Sequence, residues 1–279
     1  MIKHMMLGAA LGALASTVST ADVQLCHIAN AGFLAKGKNA AVLFDAARIT
    51  DAYGGDYRLP SPGLMDQMIG GSGPFETVKL AFVSHRHNDH FDAAATLKHL
   101  RGDGDVIYLM PPEAFDLLKA EGLTAGEESR AHSVLPDWDG PPIRRRFGDI
   151  LVEAYRVDHG EGSPQNIGFR VTFDGVSFFH TGDMVATGES LKRAGFNRTP
   201  VDVMLNVFWY GFGNEAQQQA LASAFEIGTM VPMHIPPKEE AWMARYGGYE
   251  AVLKSLYETW PNAVELKEEM ACTKVGPAN

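Results

Sequence analysis

Basic residues are in short supply: 24 lysines and arginines stand against 34 aspartates and glutamates, for a formal charge of −10. Binding a polyanion draws on clustered Lys and Arg, so DNA and RNA are excluded as the main partner. The basic run Arg144, Arg145, Arg146 is only three residues long, and it reads as a solvated strand edge rather than a phosphate clamp. The apolar stretch Met5 to Ala15 is too short to cross a bilayer comfortably, so no stable membrane anchor is expected. Cysteine is nearly absent, with only Cys26 and Cys272, near opposite ends of the chain. A bridge between them would remove much unfolded-state entropy. Two buried free thiols fit equally well, because sequence does not show whether the α-carbons meet. Bulky Leu25 argues against a lipid anchor on Cys26.

The N-terminus carries an export pattern. Lys3 and His4 precede the apolar stretch, and Ser19 and Ala21 supply the small residues a signal peptidase accepts. Residues 1–21 are therefore expected to be a signal peptide, cleaved before Asp22, with a periplasmic or secreted product. Residues 22–279 are expected to form a single domain, since a chain this long with 46% hydrophobic residues can bury one large core. A small-molecule substrate is the expected partner; oligomeric state is left open.

Runs rich in Val, Leu and Phe predict strands over 23–28, 31–36, 40–45, 78–83, 106–110, 150–158, 166–173, 176–180, 201–207, 229–233 and 263–267. Lys36 to Asn39 and Asp174-Gly175 supply hairpin chemistry. Helical spacing covers 92–101, 112–121, 214–227 and 248–259, with Asp92 as N-cap of the first. Strands in meanders followed by helices, twice over, predict an α/β fold with mixed sheets packed face to face and helices outside. Residues 46–77, rich in Gly and Pro, form a long connection with one helical turn near Leu64 to Ile69, a length typical of functional lids.

Chemistry concentrates where the strand Leu80 to Val83 gives way to the helix opened by Asp92. His85 and His87 are two apart and share one side of an extended backbone, while Asp89 and His90 turn another way as the chain bends. One short loop can thus address two adjacent cations. Imidazole and carboxylate suit zinc, and closely spaced cations need a shared anionic ligand to damp their repulsion.

His85, His87, Asp89 and His90 spell HxHxDH, and on this run the chain resembles the metallo-β-lactamase superfamily. Later motifs match in order: His159 after a strand, Asp183 within Thr181-Gly182-Asp183, and His234 after Pro232-Met233. The resemblance implies a four-layer αββα sandwich of two mixed β-sheets flanked by helices. It implies His85, His87 and His159 on one metal, Asp89, His90 and His234 on the other, and Asp183 bridging. The implied cofactor is two zinc ions, with iron or manganese as alternatives, and Asp89 and Asp183 are the expected catalytic carboxylates. Asp45 resembles an acidic residue the family carries beside the site, where it would orient metal-bound imidazoles. His180 is expected behind the ligands, His132 exposed, and His27 and His99 structural.

Such a centre lowers the pKa of a shared water from near 16 to about 7, giving a hydroxide nucleophile without a side-chain base. The resemblance thus implies a hydrolase of ester, lactone or phosphodiester-type bonds in a small molecule or lipid, nearest the lactonase and phosphodiesterase branch. Asp183 disfavours penicillin cleavage, since antibiotic-cleaving members typically lack that carboxylate. Trp209, Tyr210 and Phe212, following a strand, are expected near the substrate, as is Asn166; Tyr210 or Asn166 could donate to a developing oxyanion. The alternatives are an iron-dependent oxidoreductase like the sulfur dioxygenases of the same superfamily, and a non-catalytic metal-binding member of the fold.

Overall fold

A computed structural model describes residues 23–51 and 53–278; the expected signal peptide, 1–21, lies outside the described residues. The first half runs β1 (Val23–Ala29), β2 (Gly32–Lys36), β3 (Ala41–Phe44), α1 (Pro62–Ile69), β4 (Val78–Phe82), α2 (Ala93–Gly102), β5 (Ile107–Met110), α3 (Pro112–Ala120) and β6 (Ala131–Ser133). The second half runs β7 (Ile143–Phe147), β8 (Ile150–Val157), β9 (Asn166–Phe173), β10 (Val176–His180), α4 (Gly188–Arg193), β11 (Thr199–Val207), α5 (Glu215–Ala224), β12 (Phe225–Met233), α6 (Tyr249–Thr259) and β13 (Cys272–Val275).

Two mixed sheets result, ordered β13-β1-β2-β3-β4-β5-β6 and β12-β11-β10-β9-β8-β7. In the first, β1 to β3 are antiparallel and β3 to β6 parallel. In the second, β7 to β10 are antiparallel and β10 to β12 parallel. Most antiparallel steps are made by tight turns, the loop 158–165 between β8 and β9 being longer; at Asp174 and Gly175 both φ angles are positive, as a two-residue type I′ hairpin turn requires. Parallel steps need crossovers, and the helices provide them.

The sheets face each other across a core in which Phe82 of β4 packs on Phe169 of β9, ring centroids 4.9 Å apart. Outside the first sheet, Met65 and Met68 of α1, Leu97 and Leu100 of α2 and Leu118 of α3 join a second core with Leu34, Leu43 and Ala81. Outside the second, Leu191 of α4 and Leu221 of α5 lie in the same core as Phe179 and Phe225. With both faces covered, β10 is buried at all five positions, which explains its unbroken apolar run. The α/β sandwich expected from the strand pattern is the one observed.

Several expectations need correction. The strand placed at 263–267 is absent; Ala263 makes only an isolated bridge to Met230, and the edge strand of the first sheet is β13, further along. There Cys272 faces Cys26 in antiparallel register and the two form a disulfide, which settles the choice between bridge and free thiols. The strand expected at 229–233 starts earlier, at Phe225, where α5 stops short of the expected 227. Arg144 to Arg146 do lie on an edge strand, β7, exposed to solvent, and Arg144 donates to Glu153 of its neighbour.

Every parallel strand next to the site delivers its C-terminal end to the same rim of the sandwich. Asp45 follows β3, His85 follows β4, Asp183 follows β10 and His234 follows β12. His159 arrives there from antiparallel β8. The topology therefore gathers polar residues from five strand ends.

Candidate metal centre

The loop after β4 is held open from both ends. At its far end Asp92 caps α2 by accepting from Ala95 N at 3.0 Å, while its other oxygen accepts from Ile49 N and Thr50 N. Arg48, although 1% exposed, donates from Nε to Asn88 O at 3.0 Å. These bonds fix the turn that carries His85, His87, Asp89 and His90.

The seven residues singled out in the sequence come together in two groups that share one member. His85, His87, His159 and Asp183 form the first; Asp89, His90, His234 and Asp183 form the second, with candidate ligand atoms in each within 4.8 Å of one another. In the first group His85 Nε2 lies 3.2 Å from both His87 Nδ1 and His159 Nε2. In the second, His90 Nε2 lies 2.8 Å from His234 Nε2, and His234 Nε2 2.9 Å from Asp89 Oδ2.

These contacts suit a cation better than they suit one another. Ring nitrogens about 2.0–2.1 Å from a tetrahedral metal are separated by roughly 3.3 Å, close to the spacing in the first group. Neutral imidazoles meeting lone pair to lone pair cannot all donate. Asp89 Oδ1 and Asp183 Oδ1 are buried without a hydrogen-bond partner, although Asp183 Oδ1 is 3.0 Å from His90 Nε2. Buried carboxylate oxygens left so are costly unless something cationic faces them. The donor set fits a pair of divalent ions; imidazole and carboxylate serve zinc and iron alike.

Protonation follows the same electrostatics. Burial holds His85 well below the usual histidine value and also lowers His87. Burial works against a charge on His90 too, yet Asp183 and Asp89 beside it hold its pKa well above the ordinary value. Despite burial, His90 and His234 pull Asp89 down to about 2 and hold Asp183 well below the carboxylate range. The carboxylates therefore stay ionised and ready for cations.

Behind the ligands lies a layer of hydrogen bonds. Asp45 Oδ2 accepts from His90 Nδ1 at 2.7 Å and from Ser84 Oγ at 2.6 Å, and its Oδ1 accepts from Ser84 N. Ser84 Oγ is 3.0 Å from His85 Nδ1. One buried carboxylate thus sets the tautomer of His90 directly and that of His85 through a hydroxyl, turning both Nε2 atoms toward the centre. His180 stands apart from the ligand groups: its Nε2 donates to Ala31 O at 2.9 Å, and its Nδ1 accepts from Gly182 N at 3.1 Å. Gly182 itself has φ +53, and a Cβ there would lie 2.2 Å from Asn166 Oδ1. Only glycine lets the chain turn Asp183 into the rim at this point.

Two of the expected substrate contacts lie near the rim but are buried and engaged. Asn166 is buried, with Nδ2 donating to Thr181 O at 3.4 Å; it supports the turn before Asp183. Tyr210 is buried, its hydroxyl donating to Met184 O and accepting from Ala186 N. Neither hydroxyl nor amide is free for an oxyanion. Trp209 and Phe212 do line a cavity beside His234, together with Tyr57, Trp242 and Tyr246. His132 is half-buried on β6 rather than exposed, and His27 and His99 lie outside both groups. Sequence reasoning missed Ser84, Asn30, Arg48, Tyr57 and Trp242, none of which carries a local motif.

A family model of the beta-lactamase superfamily domain matches residues 60–235, well over half of the chain and all seven rim residues. The chain belongs to the metallo-β-lactamase superfamily. Solved structures agree at the level of fold. The superfamily member is similar to an isothiocyanate hydrolase from Delia radicum gut bacteria, at 16% identity and TM-score 0.58, covering 91% of this chain and 99% of that one. It is similar to the metallo-beta-lactamase fold protein YhfI from Bacillus subtilis, at 13% identity and TM-score 0.56, covering 91% and 99%. CmlA, a diiron beta-hydroxylase from Streptomyces venezuelae, matches at 14% identity and TM-score 0.55, covering 91% of this chain and 54% of that one. No curated protein matches the sequence.

Proposed function

We propose that this superfamily member is an exported dinuclear zinc hydrolase that cleaves an ester, lactone or phosphodiester-type bond in a small molecule or lipid. The observation that carries the reading is Asp183, a single carboxylate common to both ligand groups. A shared anion is what two adjacent cations require, and a pair of cations, when bound, supplies an activated water and polarises the oxygen of the scissile bond.

The chain's own residues supply the placement. Asp183 and Asp89 balance charge at the rim and remain ionised. Asp45 and Ser84 keep His85 and His90 in the tautomer that presents Nε2. His180 holds Gly182 N, which sets the approach of Asp183. No serine or cysteine nucleophile is needed; Cys26 and Cys272 are joined in a disulfide. That bridge also supports export, since disulfides persist in oxidising compartments.

Metal analysis of purified protein, followed by a panel of lactones, phosphodiesters, thioesters and β-lactams, tests the reading. Two zinc ions per chain with turnover of an ester, lactone or phosphodiester, abolished by Asp89→Ala, is the expected result. Bound iron with oxygen uptake overturns it in favour of an oxidoreductase, and a metal-replete protein inactive across the panel favours a non-catalytic role. Export is tested by fractionating cells that express the full chain; retention of the uncleaved chain in the cytoplasm sinks it.

A further inference from the structure

A cavity of about 350 Å³ opens beside His234. Its walls come from three separate places: Tyr57 from the long connection before α1, Phe208, Trp209 and Phe212 from the turn after β11, and Trp242 and Tyr246 from the turn before α6. The rings brace one another. Phe212 and Trp242 lie nearly parallel, 13° between planes and 5.8 Å between centroids, and Tyr246 meets Trp242 edge-on at 6.1 Å. The wall reaches the metal centre itself, with Tyr57 edge-on to His234 at 4.6 Å and Trp209 at 5.4 Å from it.

These rings are not sealed into a core. Tyr57, Trp209 and Trp242 are half-buried, and Tyr246 at the mouth is 41% exposed. Aromatic surface gathered in one concavity and left wet is surface that an occupant can cover. The lining carries one charge of each sign and so gives a charged occupant no net attraction. Glu240 accepts from the Trp242 indole N–H, so its carboxylate is already engaged. Arg245 lines the same cavity, with Nε donating to Trp242 O at 3.1 Å. Either sign of charge would meet one attractive and one repulsive partner, which leaves the rings as the feature that selects the occupant.

We infer that this cavity is the specificity pocket and that it takes a planar, uncharged ring carried by the substrate, seated among Trp242, Trp209 and Tyr57 with the scissile bond toward His234. The inference rests on the hydrolase reading for the reaction alone; the ring preference follows from the walls. Flat faces at fixed angles reward a flat occupant over a puckered one of equal size, because stacking adds to area burial.

Ligand-observed NMR titrations with benzyl alcohol, cyclohexylmethanol and tetramethylammonium test it on the full chain, before and after metal chelation. Benzyl alcohol is expected to bind about tenfold or more tightly than the other two, with and without metal. Trp242→Ala should remove about tenfold of that affinity and Trp242→Phe should restore most of it. Tyr246→Ala at the exposed mouth serves as a second variant should Trp242→Ala fail to fold, and it too should weaken benzyl alcohol. Tighter binding of tetramethylammonium, equal binding of cyclohexylmethanol, or an unchanged affinity in the folded variants overturns the inference. In turnover, Trp242→Ala should raise KM for aryl esters and leave kcat near its original value. Ring binding without turnover of any panel substrate sinks the hydrolase reading alone. Turnover indifferent to the ring sinks the pocket alone.

Discussion

The two halves of the candidate metal centre share Asp183 and differ in burial and in how their backbone is braced. Asp89, His90 and His234 are buried, and the chain holds them from outside the ligand set. Only the His90 ring is oriented, by Asp45; Asn30 braces backbone alone, donating from Nδ2 to Asp89 O at 2.9 Å and accepting at its own carbonyl from His234 N at 3.3 Å, while His234 Nδ1 has no hydrogen-bond partner. In the other half only His85 is backed, through Ser84. His87 and His159 are half-buried, and among the described residues their ring hydrogen-bonding contacts run only to His85. Ligands locked by outside hydrogen bonds lose less freedom on binding a cation. The buried half is thus expected to hold its ion more tightly, and the open half to exchange it.

The largest effect should come from the residue the halves share. Asp183→Asn removes the common anion, and kcat/KM on the substrate identified by the panel should fall on the order of a thousandfold, about 4 kcal/mol of barrier. Metal content should drop below two ions per chain. A variant that retains both ions and full activity breaks the picture of a shared ligand.

Acid sensitivity of the centre can be read only after a contribution from elsewhere is removed. Buried His99, hydrogen-bonded to Tyr108 at 2.6 Å, has its pKa pushed down to about 4, chiefly by burial and then by Arg130. In the unfolded chain it would titrate near 6.5. The folded form therefore refuses a proton that the unfolded form accepts. Stability is full above that value and is lost as pH falls toward 4, by up to about 3 kcal/mol. Urea unfolding of His99→Gln at neutral pH and near pH 4.5 should show a flatter pH dependence than the original chain. An unaltered slope refutes the assignment to His99.

Asp45→Asn tests the backing directly. Metal affinity should fall about 10–100-fold in a chelator competition, with the buried half losing the larger factor because Asp45 touches His90 directly and His85 only through Ser84. A larger factor lost from the open half reverses the comparison. The smallest effect is expected from Asn30→Ala, which removes one side-chain bond to Asp89 O and should weaken that same ion about fivefold, near 1 kcal/mol. No change would mean that the loop holds Asp89 without Asn30.

The same contrast separates what could be read in the chain from what could not. His85 to His90 announced themselves because their spacing and the strand before them are local. His159, Asp183 and His234 were legible because each closes an apolar strand in a familiar order. Their backing was legible only in part: the resemblance placed Asp45 beside the site, but Asn30 is 59 residues from Asp89, and only sheet pairing brings the turn after β1 under that loop. Asn166 and Tyr210 sit near the rim as their positions suggested, yet the Asn166 amide nitrogen and the Tyr210 hydroxyl bond to backbone groups of the 181–186 segment. Side-chain direction is decided by neighbours that sequence position does not name. Tyr57 and Trp242 meet at one cavity from distant segments for the same reason.

Local chemistry, then, settled the class of fold, the run of ligands and the order in which strand ends contribute, since apolar periodicity and donor identity are properties of short segments. Tertiary structure decided the disulfide, the division of the centre into a braced half and an open one, and the aromatic pocket. Each of these depends on which distant atoms come within hydrogen-bonding, bonding or stacking distance, and that is set by how two twisted sheets close on each other.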